Sequence, residues 1–305
     1  MARILAPGRV QFTEVPRALP KPYAELTRGR TRLRFFHGDA VSILHSLDAG
    51  SIDAVVTSPP YNLGIRYRSY DDTRPRAEYL EWTGEWIKAA RRTLAAEGSL
   101  FLNVGAKPKD PWVALDIAQA VRPHLELQNI IHWVKSIAIE KSLAGTRAGL
   151  KDDLAVGHYK PINSTRFLND CHEFVFHFSP GGATPIDRRA VGVKYQDKSN
   201  VTRWQQAGSD LRCRGNTWFL PYETIQSRAK ERPHPATFPW RLPAYCLRLH
   251  GLSRLKTAAD PFLGLGSSAV ACATLGVNFV GIEIDEHYLK EAVDRARAAL
   301  NATRS

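Results

Sequence analysis

Two short segments of the chain carry residue types suited to chemistry, one to holding a planar amino-bearing group and the other to cradling a cofactor. The first is Thr57-Ser58-Pro59-Pro60-Tyr61-Asn62, directly after the β-branched run Ile52–Val56. Two prolines remove two amide N–H groups and stiffen the backbone. Carbonyls there have few local partners and can accept hydrogen bonds from an external amino group. Ser58 adds a side-chain acceptor, and Tyr61 offers a flat face for stacking. The second segment is Asp260-Pro261-Phe262-Leu263-Gly264-Leu265-Gly266-Ser267-Ser268-Ala269. A strand that ends in a glycine-containing turn and opens a helix aims backbone N–H groups and the helix dipole at a ligand. Glycine suits such a turn because a Cβ would block the close approach of a cofactor. Glu283 ends the next strand, 19 residues after Gly264, where an acid can bind ribose hydroxyls. Each segment also has a plainer reading. A strand can simply end in a proline turn, and a tight strand-to-helix turn needs no ligand. Gly264-x-Gly266-x-x-Ala269 equally fits a nicotinamide or flavin dinucleotide, so that reading stays open on these residues alone.

Both segments need a rigid frame, and the pattern around them alternates strand with helix, which argues for an α/β sheet. Strands are expected at Leu33–Phe36, Ile52–Val56, Ser99–Val104, Ile130–Val134 and Glu173–Phe178. Helices are expected at Val41–Leu47, Glu78–Leu94 and Trp112–Val121, the middle one with Leu80, Trp86, Ile87, Ala90 and Leu94 roughly on one face. The rhythm returns with a helix at Pro239–Leu249, a strand at Thr257–Asp260, a helix at Ser268–Leu275, a strand at Val277–Glu283 and a helix at Glu286–Leu300. Residues 136–170 and 180–232 interrupt it. Loops of that length in a compact domain are usually functional or form a small unit of their own.

With 305 residues and 44% hydrophobic content, the chain can bury a real core. No run of about 18 apolar residues exists, so a transmembrane helix is excluded. The N-terminal residues lack a secretion-signal pattern. Cys171, Cys213, Cys246 and Cys272 lie far apart with no C-x-x-C pair. Neither a disulfide framework nor a zinc ribbon is indicated, and a reducing cytoplasm fits. The net charge is +12, and it is uneven. Residues 1–37 carry +6 and residues 140–232 carry +5, whereas residues 38–139 carry −1 and residues 233–305 carry +2. Such segregation suggests a surface facing a polyanion, although a basic protein without such a partner would look the same by charge alone.

The pairing of Ser58-Pro59-Pro60-Tyr61 with Asp260-Pro261-Phe262-Leu263-Gly264-Leu265-Gly266 resembles the S-adenosylmethionine-dependent amino methyltransferases of DNA. The likeness extends to His37-Gly38-Asp39-Ala40, to His234-Pro235-Ala236-Thr237-Phe238-Pro239 and to Gly281-Ile282-Glu283-Ile284-Asp285. The S-P-P-Y segment precedes the glycine turn, with a basic insert between them. That circularly permuted motif order resembles the β group of the family. The resemblance implies a Rossmann-like methyltransferase sheet in four parts: a basic arm (1–32), a catalytic half (33–179), a target-recognition insert (180–232) and a cofactor-binding half (233–305).

The same resemblance implies the chemistry. A target base flips out of duplex DNA at a cost of a few kcal/mol. Tyr61 stacks on it, while Ser58 Oγ and the Pro59 carbonyl accept from its amino group, with Pro60 completing the loop. Asp260, Pro261, Phe262, Gly264, Gly266 and Ser268 shape the S-adenosylmethionine pocket. Glu283 holds the ribose, Asp39 the adenine amino group and Thr237 the methionine carboxylate. Serine in the first motif position resembles the cytosine-N4 enzymes, with adenine N6 as the alternative. A nucleoid-associated enzyme with a homodimeric partner or a cognate restriction endonuclease stays open.

Within the insert, Arg188, Arg189, Lys194, Lys198, Arg203, Arg212, Arg214 and Arg228 are interleaved with Tyr195, Trp204 and Trp218. Guanidinium forks can read guanine edges or grip phosphates, and aromatics can wedge or stack. As a group these residues favour DNA contact, although any single one is more often a solvated or core side chain. A metal reading of His158, Cys171, His172 and His177 has no recognised spacing behind it.

Overall fold

The computed structural model describes residues 18–65, 67–145, 149–157, 163–203, 210–221 and 237–302. The chain runs β1 (Ala24–Arg28), β2 (Thr31–His37), α1 (Ala40–Ser46), β3 (Ile52–Thr57), α2 (Arg76–Thr93), β4 (Leu94–Val104), α3 (Val113–Val121) and β5 (Glu126–Val134). It continues with β6 (Ser136–Ile139), α4 (Lys141–Ala144), β7 (Leu154–Gly157), β8 (His172–Ser179), α5 (Ser199–Arg203) and β9 (Thr217–Phe219). The last part is α6 (Arg241–His250), β10 (Thr257–Asp260), α7 (Ser267–Leu275), β11 (Asn278–Glu283) and α8 (Glu286–Ala302).

Nine strands form one sheet in the order β1-β2-β11-β10-β3-β4-β8-β5-β9. From β2 to β4 every pairing is parallel, which is why these strands read as near-continuous apolar runs. Strands from the two ends of the chain are direct neighbours: β11 pairs with β2, and β10 pairs with β3. Helices cover both faces. Val55 packs towards α1, α2 and α3, whereas Ala54 and Val56 pack towards α6, α7 and α8. That is the two-residue alternation of a strand buried on both sides. The Asp53 carboxylate accepts the amides of Lys256 and Thr257, each at 2.8 Å, and so ties β3 to the start of β10.

The strands and helices expected from the pattern are present, with ends shifted by a few residues. Three expectations change. The basic arm is partly sheet, since β1 pairs antiparallel with β2; residues 1–17 of that arm lie outside the described residues. The insert is not a separate body over its described length. Its strand β9 joins the main sheet beside β5, and Val191, Trp218 and Leu220 belong to the core. Trp218 is 1% exposed, so its bulk serves packing and not the wedging of DNA bases. Residues 136–170 contain a small two-stranded antiparallel sheet of their own, β6 with β7. Trp204 and Arg228 of the insert, and His158, lie outside the described residues.

Candidate active site

In a parallel sheet, ligands gather beyond the carboxyl ends of the strands. Here β2, β11, β10 and β3 are neighbours, and their ends deliver Asp39, Glu283, Pro261 and Ser58 to one cleft. Pro59, Pro60, Tyr61, Thr237, Phe262 and Gly264 line the same cleft. The two chemistry-bearing segments, about 200 positions apart in the chain, are therefore two walls of one site.

The glycine turn is built around Glu283. Its Oε2 accepts the Gly264 amide at 2.7 Å, and its Oε1 accepts the Asp285 amide at 2.9 Å. Burial raises the affinity of this carboxyl for its proton, against the lowering effect of those two amides. Asp39 caps α1 through Ser42, leaving the rest of its carboxylate at the cleft. Asp285 is held below the ordinary carboxylate range: burial pushes it up, but bonds from Ser69, Tyr288 and His287 outweigh that.

Asp260, Ser268 and Gly266 do not line the cleft, contrary to the sequence expectation. Asp260 is 1% exposed. Its Oδ1 accepts from Thr57 Oγ1 at 2.6 Å and from the Phe262 amide, and its Oδ2 accepts from Ser268 Oγ at 2.7 Å. It braces the glycine turn against the end of β3. Gly266 has φ +77°, and a Cβ there would meet Ala292 Cβ at 2.8 Å. Packing of the turn against α8 by itself demands that glycine.

The proline loop is equally braced. The Tyr79 hydroxyl donates to the Pro60 carbonyl at 2.6 Å. Asp72 accepts the amides of Asn62, Leu63 and Ile65, at 2.8, 3.0 and 2.9 Å. Asn62 takes φ 57°, a left-handed turn that its short amide side chain tolerates. The chain then crosses the cleft, and Ser69 Oγ donates to Asp285 Oδ2 at 2.7 Å. This crossing adds Tyr67, Tyr70 and Arg74 to the lining, joined by Trp82 and Tyr288. The Arg74 guanidinium lies over Tyr70 and Trp82 at 5.0 and 5.6 Å. None of these five was singled out from sequence, although the aromatic density just after the proline loop was a usable signal.

The insert cations are of two kinds. Arg188, Arg189, Lys194, Arg203 and Arg212 are exposed, and Lys198 pairs with Asp210 at the surface. Arg214 instead donates to the Val191 carbonyl at 2.8 Å and stacks 5.1 Å over Tyr245. That half-buried guanidinium holds the insert to α6. His177, named with Cys171 and His172 as a metal candidate, is buried within the sheet. Its ring nitrogens bond Asn129 and Ser99, and burial pushes it down to about 3.

A family model described as DNA methylase, of the N6/N4 type, matches residues 52–294. The type II methyltransferase M.ScaI of Streptomyces caespitosus is 27% identical over 310 residues, covering 94% of this chain and 88% of its own. Among solved structures, the cytosine-N4-specific PvuII DNA methyltransferase superposes with a TM-score of 0.57 at 16% identity, covering 88% of this chain and 93% of its own. The M1.HpyAVI–SAM complex superposes with a TM-score of 0.53 at 19% identity, covering 86% and 99%.

Proposed function

The chain belongs to the N6/N4 DNA methylase family, and from that membership we propose that it transfers a methyl group to the N4 amino group of a cytosine flipped out of duplex DNA. The methyl donor is S-adenosylmethionine, the cofactor of this family, and membership removes the nicotinamide and flavin readings of the glycine turn. The observation that carries the proposal is the meeting of the Ser58–Tyr61 loop and the Glu283-braced turn in one cleft.

The cleft suits that cofactor. Three carboxylates, Asp39, Glu283 and Asp285, line it, matching a ligand with a sulfonium charge, an α-amino group and ribose hydroxyls. The Tyr70 hydroxyl is a buried polar atom with no hydrogen-bond partner among the described residues, and so is available to a ligand. Glu283 would accept from the ribose, Asp39 from the adenine amino group, and Thr237 would meet the methionine carboxylate. Phe262, in edge contact with Trp82 and Trp86, forms an apolar wall. S-adenosylmethionine, when bound, supplies an electrophilic methyl group on sulfur.

The chain's own residues then align the amino nitrogen. Ser58 Oγ and the Pro59 carbonyl would accept its two N–H groups, directing the nitrogen lone pair at the methyl carbon. Tyr61 would stack on the extruded ring. Alignment and fixed acceptors supply the catalysis, with no covalent nucleophile. Serine at position 58 supports cytosine, by its resemblance to the cytosine-N4 enzymes. Adenine N6 is the alternative in the same site. The exposed insert cations Arg188, Arg189, Lys194, Arg203 and Arg212 would grip DNA phosphates and base edges. Single-molecule sequencing of DNA from cells expressing the chain tests this reading. N4-methylcytosine at a fixed sequence is expected, N6-methyladenine would transfer the proposal to adenine, and unmodified DNA would overturn it.

A further inference from the structure

Behind the Ser58–Tyr61 loop, three further side chains form a polar cluster that the reaction above has not used. Ser58 Oγ and the Tyr61 hydroxyl are 2.6 Å apart, and either atom can donate. Asn103, on β4, directs Nδ2 to the Tyr61 hydroxyl at 2.7 Å and to Glu173 Oε2 at 2.8 Å. The Tyr61 hydroxyl is 3.3 Å from the same Oε2. Glu173, on β8, pairs with Lys135 Nζ at 3.1 Å, both side chains being less than one-fifth exposed. Gly105 leaves room for this meeting, since a Cβ there would lie 3.2 Å from both the Tyr61 ring and the Glu173 side chain.

We propose that Glu173 is a positioning residue that sets the sense of the Ser58–Tyr61 hydrogen bond and so makes the Ser58 oxygen an acceptor for the target amino group. The inference rests on the reading of Ser58 given above. An ionised carboxylate only accepts, and a hydroxyl has one hydrogen to give. With the Tyr61 O–H directed at Oε2, the Tyr61 oxygen receives Asn103 and Ser58. The Ser58 hydrogen is then spent inwards, and beyond the long 3.4 Å contact from Asn103 Nδ2 its oxygen keeps a lone pair for a group in the cleft. In the reverse sense Tyr61 donates to Ser58, and the Ser58 O–H confronts an amino group that is itself a donor. Glu173 thus selects between two senses that differ in whether Ser58 can hold the target.

Glu173→Gln keeps shape and removes the obligatory acceptor. Single-turnover methyl transfer to duplex DNA, calorimetric S-adenosylmethionine binding and the melting temperature are measured together. A rate loss of at least about tenfold is expected, with the cofactor dissociation constant within about twofold of wild type and melting unchanged. Glu173→Asp recovers part of the rate. Tyr61→Phe, which keeps the ring, loses a similar factor, and the Tyr61→Phe/Glu173→Gln double variant is no slower than Tyr61→Phe alone. A wild-type rate in Glu173→Gln, or losses that multiply in the double variant, overturns the proposal. If Glu173→Gln lowers melting, Tyr61→Phe decides, and an undiminished rate there is equally fatal. A wild-type chain that binds cofactor yet methylates no DNA overturns the parent reading, and this one with it.

Discussion

Thr57 Oγ1 donates to Asp260 Oδ1 across 2.6 Å, joining the last residues of β3 and β10, which are 203 positions apart in the chain. One buried bond thereby links the wall that would hold the target base to the wall that would hold the cofactor. Thr57→Val removes the donor and leaves a buried carboxyl short of a partner. A stability loss of about 1–3 kcal/mol is expected in denaturant unfolding at pH 8.

The same carboxyl makes stability depend on pH. Burial pushes Asp260 up to about 6, against hydrogen bonds from Thr57, Ser268 and the Phe262 amide. The folded chain keeps this proton where the unfolded chain has released it. Its stabilising contribution is therefore full below the ordinary carboxylate range and fades as pH rises through about 6. The difference in unfolding free energy between wild type and Asp260→Asn should fall by roughly 2–3 kcal/mol from pH 4 to pH 7. A difference that stays flat over that range would refute the assignment.

Gly266→Ala places a methyl against Ala292 in a left-handed turn. Both the backbone strain and the collision with α8 act, so a destabilisation of about 2–4 kcal/mol is expected. Thermal unfolding checks this. Ala292→Gly should recover part of the loss, because the steric component lies between those two positions.

Asp72→Ala releases three loop amides at once. The segment that carries Tyr67, Tyr70 and Ser69 over the cleft then loses its anchor. Cofactor affinity should fall by about tenfold or more, since order in that segment must be gained on binding. Calorimetry with S-adenosylmethionine measures it. Unchanged affinity would mean that the Ser69–Asp285 contact alone holds the crossing.

Ser58→Ala and Tyr61→Ala should each abolish methyl transfer while cofactor binding persists, because the proposed reaction uses both residues to hold the target base and not the cofactor. Radiolabelled methyl transfer and calorimetry on the same preparations separate the two effects. Full transfer in both variants would remove these residues from the reaction.

Local periodicity and turn chemistry made much of this molecule legible. Ile52–Val56 reads as a strand buried on both faces because its β-branched residues leave no polar face. Ser58–Tyr61 and Gly264–Gly266 stand out because proline and glycine alter the backbone itself, whatever surrounds them. What could not be read is where distant side chains converge. Asn103 and Glu173 carry no local signature, and they meet Tyr61 only because β8 pairs antiparallel with β4 in a register that sets Val104 opposite Phe174. Asp260 looks like a ligand-facing acid in the sequence, yet the pairing of β10 with β3 turns it towards Thr57 and buries it. Trp218 looks like a DNA-stacking aromatic until β9 docks beside β5. The residue pattern by itself determined the main strands and helices of the parallel sheet and the two segments that wall the cleft, because backbone preference and burial are decided within a few residues; β1, β9 and the β6–β7 pair were decided by strand pairing. The partners of each side chain were decided by strand order and register, which bring together groups more than 200 positions apart, such as Asp260 with Thr57 and Asn278 with Arg32.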